Sequence, residues 1–351
     1  MRILIISTGG TIAMCPNNAG VNTTENCQTA ANYVRILGHK KDKLGISDIS
    51  AKTIQSKDSA NMVMDDWSAI VNTIVVDYDN YDAFIVTHGT ETMGYATAAV
   101  AFAIENLGKP VAFTGSQAAF GTIGSDSIMN LENTLRVLTD RPDLVGVFLV
   151  FGTQIISGTR VKKMTELAYD AFKTSRRFPP LGVIGSSIVY NESEIQKHLA
   201  SYTPHAKGAK NLVVSNKFSN KLVVFSEFPG MCADLVTDLI KGGLVNGVIL
   251  RSYGSGVPNV GTETDTFANL RPALNYMKNN KIPLIITSQA PDAASYMTLY
   301  EPSIRAKELG AIPANVMGIE AATVKLAWLL GQNKTYEEIA TIIQKPLKGE
   351  M

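Results

Sequence analysis

The sequence predicts an α/β fold in two domains, a larger N-terminal sheet domain flanked by helices and a smaller C-terminal α/β domain. Three observations lead there. Short apolar runs alternate with helical patterns along most of the chain. The apolar runs are nearly continuous rather than alternating, which suits strands covered on both faces, as in parallel sheets. The chain has 351 residues, and domains run to roughly 100–200 residues each.

The elements follow in order. Ile3–Ser7 opens the chain as a strand and runs into Gly9-Gly10. Ala83–Thr87 is a second apolar strand, closed by His88-Gly89. Ala96–Leu107 is an Ala-rich helix stopped by Gly108, with Pro110 just beyond. Val111–Thr114 is a strand ending at Gly115. Ser125–Val137 is a helix after a glycine loop, and Val147–Phe151 is the next strand. The segment 190–215 is more polar and breaks the rhythm, so it reads as a linker between domains at 1–189 and 216–351. Beyond it lie strands at Leu222–Phe228, Gly247–Arg251 and Pro283–Thr287. Helices alternate with them at Ala233–Lys241, which ends at Gly242-Gly243, at Thr266–Lys278 and at Ile319–Leu330. Thr335 caps a last helix, Tyr336–Gln344.

Composition narrows the function classes. Hydrophobic residues make up 45% and charged residues 18%, enough apolar material for large cores and against global disorder. The net charge of +1 lacks the basic excess of a nucleic-acid binder. The small basic clusters, His39-Lys40-Lys41-Asp42-Lys43 and Lys207 with Lys210, read as solvated surface. Cys15, Cys27 and Cys232 form neither metal spacing nor a disulfide framework, and suit a reducing compartment. No apolar run reaches membrane-spanning length, and Met1-Arg2 leads straight into Ile3–Ile6 without a signal-peptide core. A soluble, cytoplasmic protein is expected.

Sites in open α/β sheets form at the carboxyl ends of strands, and two strand ends here are rich in hydroxyls. The first is Ser7-Thr8-Gly9-Gly10-Thr11, which matches neither phosphate-loop fingerprint. Its glycines let the backbone turn sharply and bring Thr11 near a ligand; taken alone, Thr11 reads as a capping hydroxyl. The second is Thr87-His88-Gly89-Thr90-Glu91-Thr92. Thr90 is a candidate nucleophile, weak until a base takes its proton, with Glu91 and His88 as the nearest bases. His88 titrates in the useful range, although a lone strand-end histidine more often holds structure. Thr114-Gly115-Ser116-Gln117 does not form a nucleophile elbow, and no spacing suggests zinc. Four histidines leave little room for a histidine triad. What remains is a hydroxyl nucleophile served by a lysine or a carboxylate.

Ser7-Thr8-Gly9-Gly10-Thr11-Ile12-Ala13 and Thr87-His88-Gly89-Thr90-Glu91-Thr92-Met93 resemble the two signature segments of the bacterial-type L-asparaginases, in the asparaginase/glutaminase family. Further matches point to the cytoplasmic type I branch. They are Glu105–Val111, Thr114–Gln117, Ser125-Asp126 with Asn130-Leu131, Pro229-Gly230 with Ala233-Asp234, and Ile249–Gly254. The resemblance spans essentially the whole chain. It implies hydrolysis of asparagine to aspartate and ammonia without metal or organic cofactor. It also implies a homodimer or homotetramer with sites at subunit junctions, acting on a small amino-acid amide and on neither nucleic acid nor membrane. By motif position Thr11 is similar to the family's nucleophile and Thr90 to its second catalytic threonine. Lys163 resembles the lysine that partners Thr90; outside that frame it reads as a surface lysine beside Lys162. Glu91 takes the place of an aspartate that holds this lysine and the substrate's α-ammonium. Ser59 resembles the serine that binds the α-carboxylate, and Ser116 would offer backbone to the leaving amide. Backbone N–H groups near Gly10 and Thr90 would stabilise an oxyanion.

The sequence departs from the family pattern twice. The pattern His-Gly-Thr-Asp-Thr has Glu91 for the aspartate, a shift of about one carbon–carbon bond, and a misplacement of ~1 Å can cost about 100-fold in rate. Val21 stands where the first-signature loop carries a tyrosine, and Thr23, Thr24, Glu25 and Tyr33 are the replacements within reach. Besides asparaginase activity, the sequence therefore leaves open a relative with shifted substrate (glutamine or a D-amide), one with weak or lost catalysis that acts as a ligand-binding protein, and an amidotransferase subunit acting on charged tRNA. The neutral pI and the lack of a further domain weigh against the last.

Overall fold

Strands form where the apolar runs predict them. In the computed structural model, which describes residues 1–16, 22–23, 30–175, 178–202, 212–261 and 269–351, the expected strands appear at Arg2–Gly9, Ala83–Thr87, Pro110–Thr114, Gly146–Phe151, Leu222–Ser226, Gly247–Ser252 and Leu284–Ser288. The chain divides into two units, Met1–Thr174 with Phe178–Asn216, and Lys217–Met351 with Ser175.

Among the described residues, the main sheet of the N-terminal unit has eight strands. Asp48–Lys57, Arg2–Gly9, Ala83–Thr87, Pro110–Thr114 and Gly146–Phe151 lie side by side and parallel. Gln154–Ser157, Gly182–Ile184 and Ile188–Tyr190 extend the sheet antiparallel. Both faces are covered, as the continuous apolar runs require. Ile3, Ile5 and Ile85 join one core with Tyr33 and Leu37 of helix Ala30–Lys41 and Leu131 and Leu135 of helix Ser127–Asp140. Leu4, Ile6, Phe84 and Val86, pointing the other way by strand alternation, are also fully buried. The Ala-rich helix Met93–Ala103 is buried along nearly its whole length.

The C-terminal unit is a four-stranded parallel sheet, Leu222–Ser226, Gly247–Ser252, Leu284–Ser288 and Ala311–Pro313 in sequence order. Alternate residues feed two cores. Val248, Leu250, Leu284 and Ile286 pack with Val236, Ile240 and Leu274 on one face. Ile249 and Ile285 pack with Leu326, Leu329 and Ile339 on the other. Thr335 caps the helix Tyr336–Ile342 in a capping box with Glu338, as expected.

Several expectations need correction. The Ala-rich helix ends at Ala103, not Leu107, because Ile104–Glu105 turns extended and pairs antiparallel with Val213–Val214. The left-handed Asn106 (φ 64°) then makes the exit. Helix Arg271–Asn279 begins after Thr266, which lies outside the described residues. The polar stretch after 190 contains a helix, Glu192–Ala200, capped by Asn191 and burying Ile195 and His198; Lys207 and Lys210 lie outside the described residues. Cys15 is disulfide-bonded, against expectation; three cysteines give too little pattern to announce a bridge. Cys27 lies outside the described residues, and Cys232 is free and exposed. No helix among the described residues is long and apolar enough to cross a membrane.

Candidate active site

Parallel pairing sets the carboxyl ends of four neighbouring strands at one edge of the N-terminal sheet. Ser7 pairs with Thr87 and Thr87 with Thr114, while Gly9 pairs with Lys57. Each strand then releases one predicted residue within a few positions: Ser59, Thr11, Thr90 and Ser116. The Thr8 hydroxyl donates to the Thr87 carbonyl at 2.9 Å, tying the two hydroxyl-rich loops together.

Glycines let these loops touch. Gly10 sits at φ 75°, and a Cβ there would lie 2.3 Å from the Gly89 backbone. A Cβ on Gly89 would in turn lie 2.5 Å from the Ser59 hydroxyl oxygen. Only bare backbone allows three loops to approach this closely. The contact places Thr11 beside the Thr90 loop. Thr11 opens a short 3₁₀ turn, Thr11–Ala13, and its side chain is partly exposed.

Lys163 reaches the same place from a separate hairpin, Val161–Lys163 paired with Phe172–Thr174. Phe172 anchors that hairpin edge-on against Phe151 of the main sheet, with ring centres 4.9 Å apart. The ammonium of Lys163 donates to Thr90 Oγ1 at 2.9 Å, to Glu91 Oε1 at 2.7 Å and to Glu166 Oε2 at 2.8 Å. An ammonium has three N–H donors, so the three acceptors account for all of them. The extra methylene of Glu91 therefore does not keep its carboxylate from the lysine. The Ser59 hydroxyl accepts from the Glu91 N–H at 3.2 Å and the Ser59 carbonyl accepts from Thr92 Oγ1 at 2.9 Å. Its own proton has no acceptor among the described residues, so buried Ser59 can donate to an incoming anion. Thr90, Glu91, Lys163 and Ser59 thus form one connected group.

Ser116 stands slightly apart. Its hydroxyl donates to the Ala118 carbonyl at 2.7 Å. Asp126 fixes this loop by accepting from the Gln117 and Ala118 N–H groups. Asn130 adds bonds to Asp126 and to the Gly115 carbonyl.

His88 is fully buried beside Phe113. Its Nδ1 lies 2.8 Å from the Gly89 carbonyl, which can only accept, so Nδ1 carries the proton. Burial pushes its pKa down to about 4, so the ring is neutral at pH 7 and braces the turn into Thr90. Tyr33 does not take the place of the loop tyrosine either. Its hydroxyl donates to the Ile12 carbonyl at 2.8 Å, and burial raises its pKa. Val21, Thr24 and Glu25 lie outside the described residues. The Gly10 N–H is committed to the Lys57 carbonyl at 2.8 Å, so of the N–H groups near Gly10 it is that of Thr11 which is left for an oxyanion. The Thr11 and Thr90 N–H groups make no hydrogen bond among the described residues.

Sequence reasoning missed Glu166. It sits on an exposed bend, and only its position three residues after Lys163 hints at a pairing. Among the described residues no cluster of His, Cys, Asp and Glu could hold a metal ion.

Comparison with known proteins places the chain. Residues 2–196 match the family described as Asparaginase, N-terminal, and residues 221–343 match the Glutaminase/Asparaginase C-terminal domain. The chain belongs to the asparaginase family. It is 31% identical over 359 residues to L-asparaginase 1 of Escherichia coli K12, covering 99% of this chain and 97% of that one. It is 28% identical over 352 residues to the L-asparaginase of Thermococcus kodakarensis, covering 100% of this chain and 99% of that one. The solved structure of the thermostable L-asparaginase from Thermococcus kodakarensis superposes with a TM-score of 0.85 at 27% identity, over 100% of this chain and 99% of that one. A solved L-asparaginase I of Vibrio cholerae superposes with a TM-score of 0.82, also at 27% identity, over 100% of this chain and 98% of that one. The eight-stranded and four-stranded sheets are thus those of the asparaginase fold.

Proposed function

We propose that this family member hydrolyses the side-chain amide of L-asparagine to L-aspartate and ammonia. The observation that carries the reading is the bond from Lys163 Nζ to Thr90 Oγ1 at 2.9 Å, with Glu91 on the same ammonium. In this reading Ser59 donates its unengaged proton to the substrate α-carboxylate, and the second oxygen of Glu91 accepts from the α-ammonium. The ligand's two fixed charges then orient its amide toward Thr11 and Thr90.

Thr11 Oγ1 attacks the amide carbon. The C–N bond breaks, and nitrogen leaves as ammonia with the proton given up by the hydroxyl. Thr90 passes that proton on, taking it at the free lone pair of its oxygen and giving its own hydroxyl hydrogen to the leaving nitrogen, while Lys163 stays an ammonium and holds the Thr90 oxygen by its donated bond. The Thr11 and Thr90 N–H groups donate to the developing oxyanion. Water then cleaves the ester and restores Thr11. The backbone of Ser116 faces the leaving amide, and the chain works as a homodimer or homotetramer in the cytoplasm, without a cofactor.

The test is ammonia release from L-asparagine by wild type and Thr90→Val. Thr90→Val removes the oxygen that Lys163 holds while keeping nearly the same volume. Turnover should fall by at least about 100-fold with an unchanged melting temperature; unchanged turnover would overturn the mechanism.

A further inference from the structure

Glu91 is asked to do two things in the proposed reaction. It holds Lys163 on Thr90, and it must accept the substrate's α-ammonium. Were Glu91 the only carboxylate present, the arriving cation would compete with Lys163 for it. Glu166 removes this conflict. Its Oε2 accepts from Lys163 Nζ at 2.8 Å, as close as Glu91 at 2.7 Å.

The loop that carries Glu166 is tied at both flanks. Gln117 Nε2 donates to the Thr165 carbonyl at 3.3 Å, and the Thr165 hydroxyl accepts from the Leu167 N–H at 3.0 Å. Asp170 accepts from the Thr153 N–H at 2.6 Å and from the Thr153 hydroxyl at 2.9 Å. Glu166 is therefore presented by a braced loop, although its side chain is 72% exposed. Charge counting agrees. One ammonium between two carboxylates leaves a net charge of −1, which a substrate ammonium would neutralise.

We propose that Glu166 is a positioning residue that holds Lys163 on Thr90 while Glu91 is occupied by the α-ammonium, and that it thereby favours substrates bearing a free α-amino group. This rests on the asparaginase reading of the site. It predicts that losing Glu166 hurts only when the ligand carries the competing cation.

The experiment compares wild type, Glu166→Gln and Glu166→Asp for asparagine hydrolysis, inhibited by L-aspartate or by succinate, which is aspartate without its amino group. Glu166→Gln should lower kcat about 5-fold and weaken aspartate inhibition about 5-fold. It should leave succinate inhibition within about twofold and the melting temperature unchanged, and Glu166→Asp, which keeps the charge but falls about 1.5 Å short of Lys163, should restore only part of kcat. Equal weakening of both inhibitors, or wild-type kinetics in Glu166→Gln, would overturn the proposal. Should succinate inhibit none of the three enzymes, the proposal stands on the kcat loss in Glu166→Gln and its partial recovery in Glu166→Asp, and a Glu166→Asp enzyme no faster than Glu166→Gln overturns it. Absence of ammonia release by wild type would instead refute the asparaginase reading itself.

Discussion

Shortening Glu91 to aspartate tests whether this site is built around glutamate. The family pattern carries aspartate here, so restoring it looks like a repair. The geometry argues the reverse. Glu91 Oε1 already sits 2.7 Å from Lys163 Nζ, and its backbone is fixed by the bond from its own N–H to Ser59 at 3.2 Å. With the backbone held, removing one methylene withdraws the carboxylate by about 1.5 Å. The contact opens to roughly 4 Å, beyond hydrogen-bond range. Lys163 keeps Thr90 and Glu166, so the lysine itself stays. What moves is the oxygen proposed to accept from the substrate's α-ammonium. A misplacement of ~1 Å can cost about 100-fold, and a hydrogen bond to a charged group is worth about 1.5–3 kcal/mol. Glu91→Asp should therefore lower kcat/KM for L-asparagine by about 10–100-fold, or ~1.4–2.7 kcal/mol. The assay is steady-state ammonia release, with urea unfolding as control. Because Glu91 is half-exposed, the urea midpoint should hardly move. A rise in kcat/KM would refute the reasoning, because it would mean the backbone yields and the pocket prefers the shorter acid.

Two predictions concern the scaffold. Lys325 and Glu350 form a fully buried ion pair at 2.6 Å; Lys325 also donates to the Ile343 and Lys345 carbonyls, and Glu350 accepts from the Leu347 and Lys348 N–H groups. Glu350→Gln leaves a buried ammonium without its carboxylate and should cost about 3–5 kcal/mol by urea denaturation, whereas adding Lys325→Met should recover much of the loss. Burial holds His88 and His198 neutral in the N-terminal unit, with folded-state pKa values of about 4 against an ordinary 6.5. Between pH 4 and 6.5 the unfolded chain binds more protons, so this stability is complete above 6.5 and is lost as pH falls; from pH 7 to 5 the loss should be ~2 kcal/mol per histidine. In the C-terminal unit, desolvation pushes Glu227 up to about 7, so acidification over that window acts in the stabilising direction there. The two tryptophans, Trp67 and Trp328, lie one in each unit, so fluorescence of Trp328→Phe and Trp67→Phe should show the urea midpoint of the N-terminal unit falling more than that of the C-terminal unit from pH 7 to pH 5; the reverse order would contradict the assignment.

How much of this was readable in the sequence depends on how each residue is held. Ala83–Thr87 and Gly247–Ser252 were legible because strands covered on both faces must be apolar throughout. Asp48–Lys57, which delivers Ser59, was not. It lies at the sheet edge with a single neighbour, and of Asp-Ile-Ser-Ala-Lys-Thr-Ile-Gln-Ser-Lys only Ile49 is buried. Gln154–Ser157 and Gly182–Ile184 were too short for periodicity to register. The same division runs through the candidate site. Thr11 and Thr90 stand next to glycines whose absent side chains let the loops meet, so a local signature marks them. Lys163 and Glu166 come from a hairpin beyond the parallel strands, and nothing in Val-Lys-Lys-Met-Thr-Glu announces that the second lysine turns toward Thr90. Their role is fixed by Phe172 packing on Phe151 and by Gln117 bonding the loop, contacts that exist only after folding. A position such as Glu166 therefore contributes through a partner chosen by tertiary packing, and a substrate preference can change there while both signature segments stay as they are.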